Sequence, residues 1–473
     1  MIKFKDKDHL IRKIEVNIDF CLSLINQDGR GDFKIKSLKM KERLLNKIKN
    51  NEEVIGIIGL GYVGLPLAVN FAISGVKVIG FDKSEEKVKK INNGENYIGD
   101  IRDAELRDVV EKVHLTATTD VSRMKECDAL IICVPTPLDK FRKPDMSYIE
   151  AACIDIGRNM SPDTFISLES TTYPTTTEDF MLPIIERESG LTHGKDFYLA
   201  YSPERVDPGN KEFHTRNTPK VMGAMTEDGF EVGEALYKKA IDTIYKVSSP
   251  RIAEMVKILE NTYRLINISL INELALLAGK MNINIWEVID AAKTKPFGFQ
   301  AFYPGPGIGG HCIPLDPFYL EYIAKKFDFD LSMIHTAGHI DMRMPHYMYI
   351  KISTALNKHK KPVNGSKILF LGVAYKPNID DERESPALEI MDITAHKGGE
   401  VSYHDPYIPH VRTEKGREFD SVQLDASTLQ NADCVVITTN HKDFDPDFIK
   451  ENSKLIVDLR NMIKEGGDKV YKL

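Results

Sequence analysis

The sequence has little of what marks a disulfide-stapled, metal-stapled or membrane-spanning protein. Its six cysteines, Cys21, Cys127, Cys133, Cys153, Cys312 and Cys434, form no CxxC pair and are sparse for 473 residues. That spacing argues against a disulfide framework and a zinc knuckle, and no metal is expected. A basic excess is also missing, since 63 basic against 70 acidic residues leave a net charge of −7. Nucleic acid is therefore not expected as the main partner. No apolar run reaches the roughly 18 residues a membrane span needs, and the opening MIKFKDKDHL carries no secretory signal. A cytoplasmic protein without membrane insertion is the expectation.

What is present is a globular composition, with 42% hydrophobic and 28% charged residues, in a chain long enough for about three domains. Residues 1–50 read as an N-terminal extension, partly helical. Its basic second half places Leu38, Leu44, Leu45 and Ile48 as the apolar side of a helix laid on the next domain. Residues 51–248 alternate strand and helix patterns from VIGIIGLGYVGLP onward. Residues 249–361 open with about thirty residues of helical text, apolar nearly all round, which predicts burial between domains or subunits. Residues 362–473 restart the strand and helix alternation at KILFLGVAYKP. The predicted fold is α/β, with two Rossmann-like parallel-sheet domains joined by a helical central region containing a long helix.

Two constellations carry chemistry. Gly59, Gly61 and Gly64 follow a predicted strand and open a helix, and Asp82 ends the next strand 18 residues after Gly64. In that context the glycines permit a tight turn, backbone approach to a pyrophosphate, and close helix packing, while the acid accepts from ribose hydroxyls and favours NAD over NADP. Cys133 lies in an apolar strand pattern and reads as packing.

The second constellation is the loop PGPGIGGHCIPLDP, whose glycines at 305, 307, 309 and 310 precede Cys312, with Asp316 four residues later. On a helix starting after the glycines, Cys312 and Asp316 share a face. Lys257 and Asn261 on the long helix are also four apart, placing an amine and an amide side by side for proton transfer and oxyanion stabilisation. Taken singly, Lys257 also reads as a snorkelling lysine and Cys312 as a packed thiol. A dinucleotide site, a thiol and a lysine together predict oxidation of an alcohol to an aldehyde, capture as a thiohemiacetal, a second oxidation to a thioester, and hydrolysis.

The stretches GLGYVGLP, CVPTP, ESTTYPTTT, YSPERVDPGN, KILENTYRLINISLINE, PGPGIGGHCIPLDP and GVAYKPNIDDERESPA appear in this order between about residues 54 and 461, and the sequence thereby resembles the UDP-sugar 6-dehydrogenase family. The resemblance implies an NAD-binding domain, a central helix carrying dimer contacts and hence a homodimer, and a C-terminal UDP-sugar-binding domain. It implies Cys312 as nucleophile, Lys257 as oxyanion-stabilising residue, and Asn261 and Asp316 as its hydrogen-bonding and water-handling partners. Thr171 and Glu204 resemble residues that organise water and protons. Gly59, Gly61, Tyr62, Val63, Gly64, Asp82, Lys87, Pro135, Thr136 and Thr171 match the cofactor site. Glu204, Arg205, Lys257, Asn261, Tyr303, Gly307, Gly309, Lys376 and Arg383 match the nucleotide-sugar side, where Arg383 suits a bidentate contact to a diphosphate.

Pro208, Leu315 and His311 depart from the UDP-glucose branch. YSPERVDPGN and GIGGHCIPLDP resemble the N-acetylhexosamine branch, UDP-N-acetylglucosamine enzymes more than UDP-N-acetylmannosamine enzymes. Two rivals stay open. A single-step hydroxyacid dehydrogenase leaves Cys312 and the second α/β domain unexplained, and a noncatalytic nucleotide-sugar sensor predicts binding without turnover.

Overall fold

The run VIGII forms strand β1 (Val54–Ile58), buried over its last four residues, as a parallel strand covered on both faces must be. The computed structural model describes residues 30–99, 101–139, 143–207, 209–210, 212–310 and 313–473. These divide into two compact units. One runs to Thr136 and resumes over Asp145–Lys257, and the other comprises Pro137–Pro144 and Ile258–Leu473.

In the first unit β1 is joined by β2 (Lys77–Phe81), β3 (Leu115–Thr118), β4 (Ala129–Ile132), β5 (Thr164–Leu168), β6 (Phe197–Tyr201), β7 (Lys220–Ala224) and β8 (Ile244–Val247). The strand order is β3-β2-β1-β4-β5-β6-β7-β8. All neighbours are parallel except β6 and β7. The first six strands follow the doubly wound order, whose switch point lies between β1 and β4, where ligands approach the carboxyl ends of the strands.

The helix Arg30–Asn50 lies on this unit. Met40, Leu44 and Ile48 are buried in its core, Leu45 packs beside them, and Leu38 is exposed. Leu38 therefore falls off the expected apolar side. The buried stripe instead follows the helical spacing of Ser37, Met40, Leu44 and Ile48. The basic run has a physical reason. Lys41 pairs with Asp228 and Glu231, Arg43 with Asp163, and Lys47 with Asp128, at 2.6 to 3.0 Å.

The second unit holds β9 (Lys367–Leu371), β10 (Glu400–His404), a hairpin of β11 (His410–Arg412) and β12 (Glu418–Asp420), then β13 (Cys434–Ile437), β14 (Ile456–Asp458) and β15 (Val470–Lys472). Its main sheet is parallel, in the order β10-β9-β13-β14-β15. Helix residues Met344, Met348, Ile352 and Leu356 share one core with Ile368, Phe370, Val436 and Val457 of that sheet.

The helical pattern beginning at Pro250 forms one 31-residue helix, Pro250–Lys280. Within the single chain it is not buried all round. Ala253, Ile258, Leu265, Ala275 and Ala278 are covered, whereas Leu259, Tyr263, Leu270, Leu274 and Leu277 are exposed. Among the described residues no helix is long and apolar enough to cross a membrane.

Candidate functional site

The turn after β1 requires glycine at two of its three positions and leaves the third open. Gly59 has φ +92°, and a Cβ there would lie 2.6 Å from the Cys133 carbonyl oxygen. At Gly64 a Cβ would come within 1.9 Å of the Gly59 carbonyl oxygen, so only glycine lets the helix Gly64–Ile73 start this close to the strand. A Cβ at Gly61 would meet nothing within 4 Å. Its backbone faces open space, as a cradle for a pyrophosphate requires. Tyr62 is exposed, Val63 precedes the helix, and Pro135 and Thr136 follow β4 across the switch point.

Asp82 follows β2, and its two carboxylate oxygens accept from the backbone N–H of Leu60 at 3.0 Å and of Ser84 at 2.9 Å. Lys87 Nζ stands 3.7 Å away. The acid is thereby fixed beside the glycine turn while keeping lone pairs for ribose hydroxyls, so these residues fit a dinucleotide. The second sheet repeats the device differently. Asp405, just after β10, accepts from Val373 and Ala374 N–H at 2.7 and 3.1 Å and from His441 Nε2 at 3.0 Å. Tyr407 and Ile408 N–H occupy its other oxygen. Asp405 is a closed structural anchor, which distinguishes this end from the first.

A second group gathers at the ends of β5, β6 and β7. Glu204 Oε1 accepts from the N–H of Arg205 and of Val206, each at 2.8 Å, and Lys257 Nζ donates to the Glu204 carbonyl at 2.8 Å. Lys257 is thus nearly buried and tied to the Glu204 backbone, unlike a lysine snorkelling to solvent. Arg205 donates to the Pro219 carbonyl at 2.7 Å. Thr171 lies half-buried just after Glu169 and Ser170.

Glu254, Glu169, Lys220 and Tyr237 belong to this region, and the motif reading did not select them. Glu254 is fully buried and accepts from Thr175 and Thr177. A signal for it existed, because Glu254, Lys257 and Asn261 stand at i, i+3 and i+7 and so share one helix face. Glu169 and Lys220 carried no local signal, since they meet only when β5 and β7 fall into one sheet.

In the second unit Asn261 Nδ2 donates to Asp316 Oδ2 at 2.5 Å, with both residues buried. The helix begins only at Asp316, and residues 313–315 form a turn. The shared helical face expected for Cys312 and Asp316 therefore has no helix to carry it. Cys312 and His311 lie outside the described residues, as does Pro208. Among the described residues the cysteines are Cys127, Cys133, Cys153 and Cys434, all buried. Burial pushes the Cys127 thiol up to about 12 and the other three up as well, so these are packing groups.

The glycine loop is held by three backbone bonds: Gly305 N–H to Asn272 Oδ1 at 3.0 Å, Ile308 N–H to Asp341 Oδ1 at 2.7 Å, and Gly310 N–H to the Arg383 carbonyl at 3.0 Å. A Cβ at Gly309 would sit 2.6 Å from Tyr375, and one at Gly307 3.1 Å from Pro386. Arg383 directs its guanidinium to both oxygens of Asp381, at 2.6 to 3.1 Å. Lys376 is half-buried, and Tyr303 stacks on Trp286 with 6.0 Å between centroids. Arg460 was not selected from sequence. A Cβ at Gly305 would touch its guanidinium, which donates to the Thr438 carbonyl at 2.9 Å and has no carboxylate partner among the described residues. Burial lowers its pKa to about 10.

Comparison with known proteins matches three models of one family: the UDP-glucose/GDP-mannose dehydrogenase NAD binding domain over residues 53–241, the central domain over 251–343, and the UDP binding domain over 369–465. A UDP-N-acetyl-D-mannosamine dehydrogenase of Pyrococcus horikoshii is 37% identical over 421 residues, covering 87% of this chain and 96% of that protein. A UDP-N-acetyl-D-glucosamine 6-dehydrogenase of Salmonella typhi is 33% identical over 395 residues, covering 83% and 91%. A solved UDP-D-ManNAc dehydrogenase structure from Pyrococcus horikoshii superposes with TM-score 0.80 at 35% identity, covering 89% of this chain and 98% of that one. With all three domain models matched in order along the chain, the chain belongs to the UDP-glucose/GDP-mannose dehydrogenase family.

Proposed function

We propose that this enzyme oxidises the C6 hydroxyl of a UDP-N-acetylhexosamine to the carboxylate, with UDP-N-acetylglucosamine as substrate. The carrying observation is the buried hydrogen bond from Asn261 to Asp316, which joins residues 55 positions apart and orients a carboxylate four residues beyond Cys312. Bound NAD supplies the acceptor for each of the two oxidations. The thiol of Cys312 adds to the aldehyde, giving a thiohemiacetal whose oxidation yields a thioester. Lys257 stabilises the oxyanion, and Asn261 holds Asp316 so that its carboxylate handles the hydrolytic water. Thr171 and Glu204 order that water and accept its proton. Each substrate consumes one water and two NAD and leaves one carboxylate. Residues 51–248 serve NAD, 249–361 the substrate loop and subunit contact, and 362–473 the UDP group. There Lys376, Arg383 and the carboxylate-free guanidinium of Arg460 suit a diphosphate.

A second reading, UDP-N-acetylmannosamine, is favoured by the name of the Pyrococcus horikoshii relative at 37% identity, against YSPERVDPGN and GIGGHCIPLDP for the glucosamine form. The experiment is NADH released per substrate consumed, with product mass, for both UDP-sugars and for Cys312→Ala. Two NADH and an acid from one sugar, lost or stalled in the variant, support the reading. One NADH with a stable aldehyde overturns it in favour of a single-step dehydrogenase, and binding without turnover favours a sensor.

The exposed residues Leu259, Tyr263, Leu270, Leu274 and Leu277 fall three, four or seven apart along the long helix. Such a stripe matches a partner helix surface, so we infer that a second copy of the chain covers it in a homodimer.

A further inference from the structure

Two buried charges stand behind the loop that carries Glu204. Glu169 directly follows β5 and Lys220 opens β7, and their side chains are 0% and 4% exposed. The Lys220 ammonium ion-pairs with Glu169, donates to the Pro203 carbonyl at 3.2 Å, and lies 4.0 Å from Glu204 Oε2. The Tyr237 hydroxyl donates to the other oxygen of Glu169 and sits 3.0 Å from Ser167 Oγ. Glu204 and Lys220 line one small surface recess with Pro203, Arg205 and Pro219.

A buried ion pair is a weak source of stability, because desolvation offsets most of the attraction. What this pair does is hold a cation at a defined point. Tyr237 holds the other oxygen of Glu169, so the carboxylate is engaged on both sides. The ammonium then touches the chain at the carbonyl of residue 203 and faces the carboxylate of residue 204, which fixes a peptide plane and the next side chain together. Glu204 Oε1 is already engaged by two N–H groups, which leaves Oε2 toward Lys220. Burial works against the charge on Lys220, but the two carboxylates outweigh it and hold its pKa above the ordinary lysine value.

We propose that Lys220, braced by Glu169 and Tyr237, is a positioning residue that holds the Glu204 carboxylate and, through the Glu204 carbonyl, the Lys257 amine in working geometry. The proposal rests on the reading in which Glu204 and Lys257 serve the oxidation. It assigns Lys220 no contact with substrate or cofactor.

The test compares Lys220→Met, Lys220→Arg, Glu169→Gln/Lys220→Met, Glu204→Gln and Glu204→Gln/Lys220→Met, each checked for folding by circular dichroism and thermal melting. The pair Glu169→Gln/Lys220→Met leaves no unpaired buried charge, so it reports on the role even if Lys220→Met fails to fold. Expected is a loss of at least about tenfold in kcat on removing Lys220, with KM for NAD changed less than about twofold, and recovery in Lys220→Arg. Because Lys220 acts through Glu204, its removal adds little in the Glu204→Gln background. An unchanged kcat in the folded variants, or an equal loss with and without Glu204, overturns the positioning role alone. A wild-type protein that releases no NADH from any UDP-sugar overturns the functional reading, and the role of Lys220 falls with it.

Discussion

The carboxylate of Glu254 holds Thr177 twice, by its backbone N–H at 2.9 Å and its hydroxyl at 2.7 Å. It also accepts from the Thr175 N–H at 2.6 Å, at a residue with φ +84°. The long helix thereby pins the loop that follows Thr171, and it does so one turn before Lys257. Burial outweighs these donors and pushes the Glu254 pKa up to about 7.

A carboxyl whose pKa is higher in the folded chain binds its proton more tightly when folded, so its contribution is complete below the unfolded value near 4.5. That contribution is lost as pH rises through about 7. Glu254→Gln has no such group. Thermal melting of both proteins from acid to neutral pH is expected to show wild type losing stability relative to the variant across this window. Parallel curves would contradict the assignment.

Asp82 is held by the backbone N–H groups of Leu60 and Ser84, and the proposed function has it accept from ribose hydroxyls. Asp82→Ala is expected to raise KM for NAD by about tenfold and to narrow the preference over NADP, with a smaller change in kcat. Steady-state kinetics with both cofactors measures it.

The helix Arg30–Asn50 precedes the first family match, which begins at residue 53, yet it supplies Met40 and Leu44 to the core of the first unit. Leu44→Ala is expected to cost roughly 2–5 kcal/mol in denaturant unfolding, from lost burial plus the cavity left behind. Leu44 is buried in the core and is none of the residues assigned to the cofactor, so NAD affinity in the folded variant is expected to stay unchanged.

The exposed stripe of the long helix gives a further test. Leu259→Glu with Leu270→Glu places charges on a surface meant to be covered, and light scattering is expected to show a dimer becoming a monomer. A wild-type monomer at micromolar concentration would remove the inferred partner.

Much of the dinucleotide end was legible because its information is local. Gly59, Gly61, Gly64 and Asp82 lie in one βαβ unit, where a turn, a strand and a helix start fix their positions within thirty residues. The resemblance named Asn261 and Asp316 as partners of Lys257, but their bond to each other was not legible, since nothing in the helix Pro250–Lys280 announces a partner 55 residues away. Leu38 was misplaced because apolar character alone does not say which side of a helix meets the core. Ser37, which bonds to Tyr198 and Asp228, occupies the inner face instead.

The sequence by itself determined the alternation of strands and helices and the glycine turn, because backbone sterics and hydrophobic period act over a few residues. Only the tertiary structure decided that Lys220 meets Glu169 and faces Glu204, that Glu254 anchors Thr177, and that Asp405 is closed by His441. Those pairings join residues on separate strands and helices, and their energy depends on burial and on who stands within hydrogen-bond reach, neither of which exists until the sheet is assembled.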